Sequence, residues 1–414
     1  MAELAAPQRT ESVEEHLERI LSTVQAMPPL ATELDSALGL ALAESLDARA
    51  DVPDFPNSAM DGYAVRREDL LGAAEEAPVR LRVIADLPAG SAEEVTVLAG
   101  TAARIMTGAP IPAGADAIVP VEATDAGTGT VTVRQEPEPG AHIRLAGSDV
   151  RAGTIVLSAG QLLGARHLAA AAATGAATLT AIRRPRVGVV STGSELVPLG
   201  EPLGRGKIHD SNSHLLAAAV TEAGGIPLRI GAVADDAALL EETLRRHAPE
   251  VDAYVLSGGA SVGAYDVVKA LLAPLGVGFT SVRMQPGKPQ GFGLWNGIPV
   301  FCLPGNPVSS FVSFEVFVRP AIRRMRGLQD VLRPTIARPA AEGWRSPAGR
   351  RQYMPVRVEA EDSTGRILVR PASAGGSGSH LVTGLAGADA LAVVPEDVTA
   401  VQSGDELPIM LLDG

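Results

Sequence analysis

The sequence predicts a multidomain α/β plus β protein built around a central parallel-sheet domain, and three observations carry that expectation. At 414 residues the chain is longer than one ordinary hydrophobic core can serve. Between Arg186 and Asp330, apolar strand-like runs alternate with helical segments, the rhythm of an open α/β sheet. From Val79 to Val156, and again past Arg333, short apolar runs punctuated by Gly and Pro read as strands and turns.

The elements follow in order. Ser12-Val13-Glu14-Glu15 reads as a capping box ahead of Leu17, Ile20, Leu21 and Val24, an apolar stripe at helical spacing. The runs Leu81 to Ala85, Ala117 to Val121 and Val131 to Val133 belong to a β-rich unit. The alanine-rich run Leu162 to Thr174 is helical again and is expected to pack back onto the N-terminal helices around that insertion. In the α/β stretch, Val187 to Val190, Leu228 to Val233, Ala253 to Leu256 and Val300 to Leu303 are the expected strands. Asn212 or Ser213 can cap a helix ending at Gly224-Gly225, and Asp236 can cap the helix through Arg246. Near the C-terminus, Tyr353 to Val358 alternates, Asp362 to Gly365 supplies a turn, and Ile367 to Val369 pairs back, pointing to a small barrel or sandwich.

Composition narrows the function classes. With 46% hydrophobic and 20% charged residues, the chain has a globular rather than a disordered balance. A net charge of -13 repels phosphate backbones, so no nucleic acid and no anionic membrane surface is expected as a partner. No apolar stretch reaches membrane-spanning length, and Met1 to Thr10 has neither the basic patch nor the apolar run of a targeting segment, so a cytoplasmic protein is expected. The single Cys302 lies in an apolar run and reads as a buried, inert thiol.

In an open parallel sheet, ligands bind beyond the carboxyl ends of the strands, where loops diverge and helix N-termini point at the ligand. Each expected strand runs into a polar or glycine-rich loop there: Ser191-Thr192-Gly193-Ser194-Glu195, Asp235-Asp236, Ser257-Gly258-Gly259-Ala260-Ser261-Val262-Gly263, and Leu303-Pro304-Gly305-Asn306-Pro307. Glycines let backbone N–H groups approach an anion, and Ser and Thr hydroxyls add uncharged donors. The expected ligand is a phosphorylated or oxyanionic compound, contacted by Thr192, Gly193, Ser194, Asn212, Ser257, Gly258, Gly259, Ser261, Pro304, Asn306 and Pro307. Glu195, Asp235, Asp236 and Asp266 cluster on the same edge, and hard oxygen ligands suit Mg²⁺ shared with substrate phosphates. Asp236 reads more readily as a helix cap, and Asp266 also precedes a helix. Lys288, on a tight turn between Pro286-Gly287 and Pro289, is a compact point charge suited to an oxyanion. Gly259 to Gly263 also matches the G-x-S-x-G elbow of serine hydrolases, but His380 is the only histidine after it and the loop runs on to Asp266 before a helix can start. The histidines show no zinc-ligand spacing.

Taken as strings, these loops resemble the MoeA/gephyrin family of molybdopterin molybdenumtransferases. The stretches are Asn57 to Ala64, Ile105 to Pro110, Ser191 to Glu195, Ser257 to Gly263 with Asp266, Pro286 to Pro289, and Leu303 to Ser309. The resemblance implies a homodimer with the active site at the subunit cleft, and four domains: a discontinuous helical domain (1–48 and 148–182), an inserted β-rich domain (49–147), an α/β molybdopterin-binding domain (183–330) and a C-terminal β-barrel (331–414). It implies insertion of molybdate into adenylylated molybdopterin with release of AMP, and leaves room for contacts with other proteins of the cofactor pathway. Asp266 and Glu195 match acidic residues that hold Mg²⁺ and act at the catalytic centre, and Asp235 a further acidic position. Asp61 and Thr107 match residues contributed across the dimer cleft, Lys288, Pro289 and Ser309 match the molybdate pocket, and Arg350 and Ser379 match its C-terminal wall. Many members carry Lys at the position of Gln285 and Asp at that of Ser194, a paired loss that leaves the local charge balanced. The rival readings are a non-catalytic molybdopterin-binding or scaffolding protein and a nucleotide hydrolase.

Overall fold

A computed structural model describes residues 10–258, 267–359, 365–373, 378 and 382–412. The chain divides into two compact units, Met1–Leu30 with Gly39–Ala43 and Ala181–Gly414, and Ala31–Leu38 with Glu44–Thr180.

The first unit is organised by a seven-stranded sheet in the order Thr10–Glu11, Gly278–Val282, Pro289–Trp295, Ile298–Leu303, Ala253–Ser257, Arg186–Thr192, Ile226–Val233. The four strands expected from the apolar runs are its parallel core, pairing Val189 with Val255 and Leu256 with Cys302. Pro289–Trp295 joins antiparallel to both of its neighbours. Alternate residues face opposite ways along a strand, and both faces are covered. Val187, Val189, Phe301 and Leu303 pack with Leu216, Val220 and Phe314 on one side. Val190, Val300 and Cys302 pack with Leu240, Leu244 and Leu272 on the other. The continuous apolar runs follow from this double burial, and Cys302 is buried as expected.

Helix Val13–Thr23 starts at the expected capping box: the Ser12 N–H donates to Glu15 Oε2 at 2.7 Å and the Glu15 N–H to Ser12 Oγ at 3.1 Å. Asp236 caps helix Ala237–His247, accepting from the Leu239 N–H at 2.9 Å. Helix Pro307–Ser313 runs through a π turn, Phe314–Val318, into Arg319–Met325. The C-terminal strands form a largely antiparallel sheet in the order Met284–Gln285, Arg351–Val358, Ala390–Val394, Glu406–Leu411, Thr335–Pro339, with Val369–Pro371 paired to Arg351–Val358. The expected hairpin is present with Val358 opposite Val369; its turn at 362–364 lies outside the described residues.

The second unit contains a five-stranded sheet ordered Thr130–Val133, Val79–Leu87, Thr101–Ile105, Gly62–Val65, Ala117–Pro120. Helix Ala165–Ala173 belongs to it, whereas Val13–Thr23 belongs to the first unit. Residues 29–48 differ from the helical expectation: they hold strands Pro29–Glu33, Ala41–Leu42 and Leu46–Asp47 around one 3-10 turn. Prolines at 28 and 29 and the left-handed Gly39 break any helical run there. Among the described residues no helix is long and apolar enough to cross a membrane.

Candidate active site

The carboxyl ends of the parallel strands open into a cleft of about 590 Å³ in the first unit. Each strand contributes the loop that follows it. Thr192, Gly193 and Glu195 come from the first, Asp235 from the second, Ser257 and Gly258 from the third, and Pro304, Asn306, Pro307 and Ser309 from the fourth. Asn212, from the head of helix Asn212–Glu222, and Pro289 complete the expected residues that line it.

Close backbone packing holds these loops. Gly258 has φ +94°, and a Cβ there would lie 2.5 Å from the Thr192 carbonyl oxygen and 2.7 Å from its hydroxyl, so only glycine fits without moving backbone. A Cβ at Gly193 would meet both carboxylate oxygens of Glu195 within 2.7 Å, which shows how tightly that side chain folds over the turn. Ser194 and Asp235 exchange hydrogen bonds: the Ser194 N–H donates to Asp235 Oδ2 at 2.8 Å, and the Asp235 N–H to Ser194 Oγ at 3.0 Å. Ser194 therefore orients a carboxylate rather than lining the cleft.

Glu195 and Asp235 place hard oxygen donors in one cleft, a donor set that fits Mg²⁺ held by one or two carboxylates together with substrate phosphates. Among the described residues no three His, Cys, Asp or Glu side chains converge as an all-protein metal cage. Gly259, Ser261, Asp266 and Ser379 lie outside the described residues.

Lys288 is exposed on its turn, and its ammonium has no hydrogen bond or ion pair among the described residues. The turn itself is fixed from beneath: buried Gln290 donates through Nε2 to the Gly287 carbonyl and to Ser313 Oγ, both at 2.6 Å. Arg350 donates to Gln285 Oε1 at 3.1 Å, so those two positions do meet. In the second unit, Asp61 Oδ1 accepts both the Thr107 N–H at 2.7 Å and the Thr107 hydroxyl at 2.8 Å. The backbone bond, then the hydroxyl, hold the Asp61 carboxyl below the ordinary aspartate range.

Sequence reasoning missed the buried layer under the cleft. Ser257 Oγ donates to Ser191 Oγ at 3.2 Å, and Ser191 Oγ donates to Asp210 Oδ1 at 2.8 Å. The same carboxylate oxygen accepts the Ser213 N–H at 3.0 Å, so Asp210, not Asn212 or Ser213, caps helix Asn212–Glu222 with its side chain. Asn212 instead donates through Nδ2 to the Gly305 carbonyl at 2.7 Å. Asp210 ahead of Ser211-Asn212-Ser213 was the available signal, since aspartate is a preferred capping residue.

Comparison with known proteins agrees with this arrangement. Three family models match in sequence: the MoeA N-terminal region (domain I and II) over residues 11–175, a probable molybdopterin binding domain over 188–324, and the MoeA C-terminal region (domain IV) over 337–412. The chain is 45% identical over 405 residues to molybdopterin molybdenumtransferase 2 of Mycobacterium tuberculosis, covering 96% of this chain and 98% of that one. It is 38% identical to the molybdopterin molybdenumtransferase of a Nostoc strain, covering 92% and 88%. A solved molybdopterin biosynthesis MoeA protein from Pyrococcus horikoshii superposes with a TM-score of 0.84 at 32% identity, over 98% of this chain and 100% of that one. The chain belongs to the MoeA family of molybdopterin molybdenumtransferases.

Proposed function

We propose that this chain is a molybdenum insertase, which transfers molybdate to adenylylated molybdopterin and releases AMP. One observation carries the reading: in a chain matching this family along nearly its whole length, one cleft gathers the loops of four parallel strands and is lined by the carboxylates of Glu195, Asp210 and Asp235. Such a cleft is suited to positioning and charge neutralisation rather than to covalent catalysis.

In this reading Glu195, Asp235 and Asp266 would hold Mg²⁺, which would supply charge neutralisation between carboxylates and substrate phosphates and Lewis acidity toward the phosphoanhydride. The Thr192 hydroxyl and the backbone of Gly193, Gly258 and the residues after it orient the phosphates, and Ser194 keeps Asp235 aligned. Lys288, on a turn pinned by Gln290, supplies the cation for the molybdate oxyanion, with Pro289 and Ser309 shaping its pocket and Arg350 and Ser379 its far wall. Asp61 and Thr107 reach the cleft of the other subunit in a homodimer, a role compatible with their exposure. The four-domain division is supported by the family descriptions, which number domains I, II and IV around the molybdopterin-binding region. In the same reading the C-terminal domain is of the family's barrel type, and the enzyme works in the cytoplasm beside other proteins of the pathway.

Glu195→Gln separates this reading from a scaffold. Exposed Glu195 supports no core, so the variant should bind adenylylated molybdopterin as wild type does, while Mg²⁺-dependent AMP release falls by about 100-fold or more. Unchanged release would remove Glu195 from the chemistry, and a wild type that binds ligand without releasing AMP would favour the scaffold.

A further inference from the structure

Among the described residues, the floor of the strand-end cleft presents polar atoms that take no hydrogen bond. Asp210 is 4% exposed and lines the cleft. Its Oδ1 is occupied by the Ser191 hydroxyl and the Ser213 N–H, while Oδ2 takes no hydrogen bond among the described residues. Asn212, 9% exposed, also lines the cleft. Its Nδ2 is committed to the Gly305 carbonyl, and its Oδ1 is buried without a partner among the described residues. Nδ1 of the neighbouring His209 is also buried without a partner among the described residues, a donor or an acceptor according to its tautomer. The Ser257 and Ser191 hydroxyls are already committed, Ser257 donating to Ser191 and Ser191 to Asp210 Oδ1. Asn212 Oδ1 is a buried acceptor, costly until something donates to it, and with the open Asp210 oxygen beside it this floor is matched to a ligand edge rich in N–H groups.

We propose that Asp210 recognises the aminopyrimidine edge of the pterin, accepting from its 2-amino group and adjacent ring N–H, with Asn212 beside it. The assignment rests on the molybdopterin reading of the cleft and chooses between the two ring systems of the adenylylated substrate. A pterin presents contiguous donors, the 2-amino group and N3–H. Adenine presents one amino group flanked by ring nitrogens that are acceptors and would face acceptors here. A carboxylate beside paired N–H donors forms the stronger, charge-assisted kind of hydrogen bond, so Asp210 sets specificity while phosphate contacts set overall affinity.

The test compares the full chain's affinity for 6-hydroxymethylpterin, for 6-hydroxymethyllumazine, which has a carbonyl in place of the 2-amino group, and for AMP. Wild type should prefer the pterin by about tenfold or more. Asp210→Asn should reduce that preference to about threefold or less and leave AMP affinity within about twofold. Ser191→Ala keeps the carboxylate and removes only its buried support, so it should retain the preference, an outcome a merely structural role for Asp210 does not give. Equal wild-type affinity for pterin and lumazine would overturn the proposal even if Asp210→Asn failed to fold. So would a preference that survives in Asp210→Asn, or AMP binding lost in its place. A wild type that binds neither pterin nor AMP sinks the molybdopterin reading as well, whereas normal pterin selectivity without molybdate-dependent AMP release sinks only the insertase reading.

Discussion

The strand-end cleft and the Asp61–Thr107 turn carry similar side chains and hold them by opposite means. Under the cleft, Ser191, Asp210, Ser213 and Ser257 are buried and linked, and Gly258 admits no Cβ. On the turn, both residues are exposed, and one carboxylate oxygen takes both Thr107 donors. The first arrangement is part of the fold's support, so changes there couple stability to activity. The second rests on a local pair at the surface, so activity can be removed there with the fold intact.

Gly258→Val with Asp61→Asn is the strongest test of that contrast. The valine Cβ would strike the Thr192 backbone at a left-handed φ, costing about 3 kcal/mol and abolishing ligand binding. Asp61→Asn should leave the thermal midpoint unchanged and lower AMP release. Equal shifts of the midpoint in both variants would break the contrast.

Acid should weaken the first unit through His16, buried in contact with Glu11 and against the Phe317 ring. Burial, outweighing the Glu11 hydrogen bond, pushes its pKa down from 6.5 to about 4. The unfolded chain therefore binds more protons between those values. Stability is fully present above pH 6.5 and is lost as pH falls towards 4, by about 3 kcal/mol in all. Urea unfolding at pH 7 and pH 4.5 measures it, and His16→Gln should flatten the difference.

A smaller effect is expected at the molybdate end. Gln285→Lys adds a cation but removes the acceptor that holds Arg350. The gain in molybdate affinity should therefore stay below about tenfold, or 1.4 kcal/mol. A larger gain in a molybdate titration would show that Gln285 leaves the pocket short of charge.

Much of the cleft was legible because its strands are apolar runs that stop abruptly in Gly, Ser and Asp. The three strands beyond Ile298–Leu303 in the sheet were harder to see. Gly278–Val282 and Pro289–Trp295 contain Gly278, Gly291 and Gly293, which dilute the apolar pattern, and Thr10–Glu11 is too short to show one. Asp210 escaped because its side-chain partner Ser191 is 19 residues away, and only the folded sheet brings Ser191, with Ser257 behind it, under the helix start. Residues 29–48 were placed in a helical domain by the family resemblance and not by their own pattern, in which the proline and glycine breaks already disfavour a helix.

The central claim is that this cleft couples phosphoanhydride cleavage to molybdenum transfer. A single-turnover reaction with purified protein, Mg²⁺ and adenylylated molybdopterin, run with and without molybdate, tests it by counting AMP released against molybdenum bound to the pterin. The account predicts equal amounts of the two with molybdate and little AMP without it. AMP released at the same rate without molybdate would contradict it and make the chain a hydrolase.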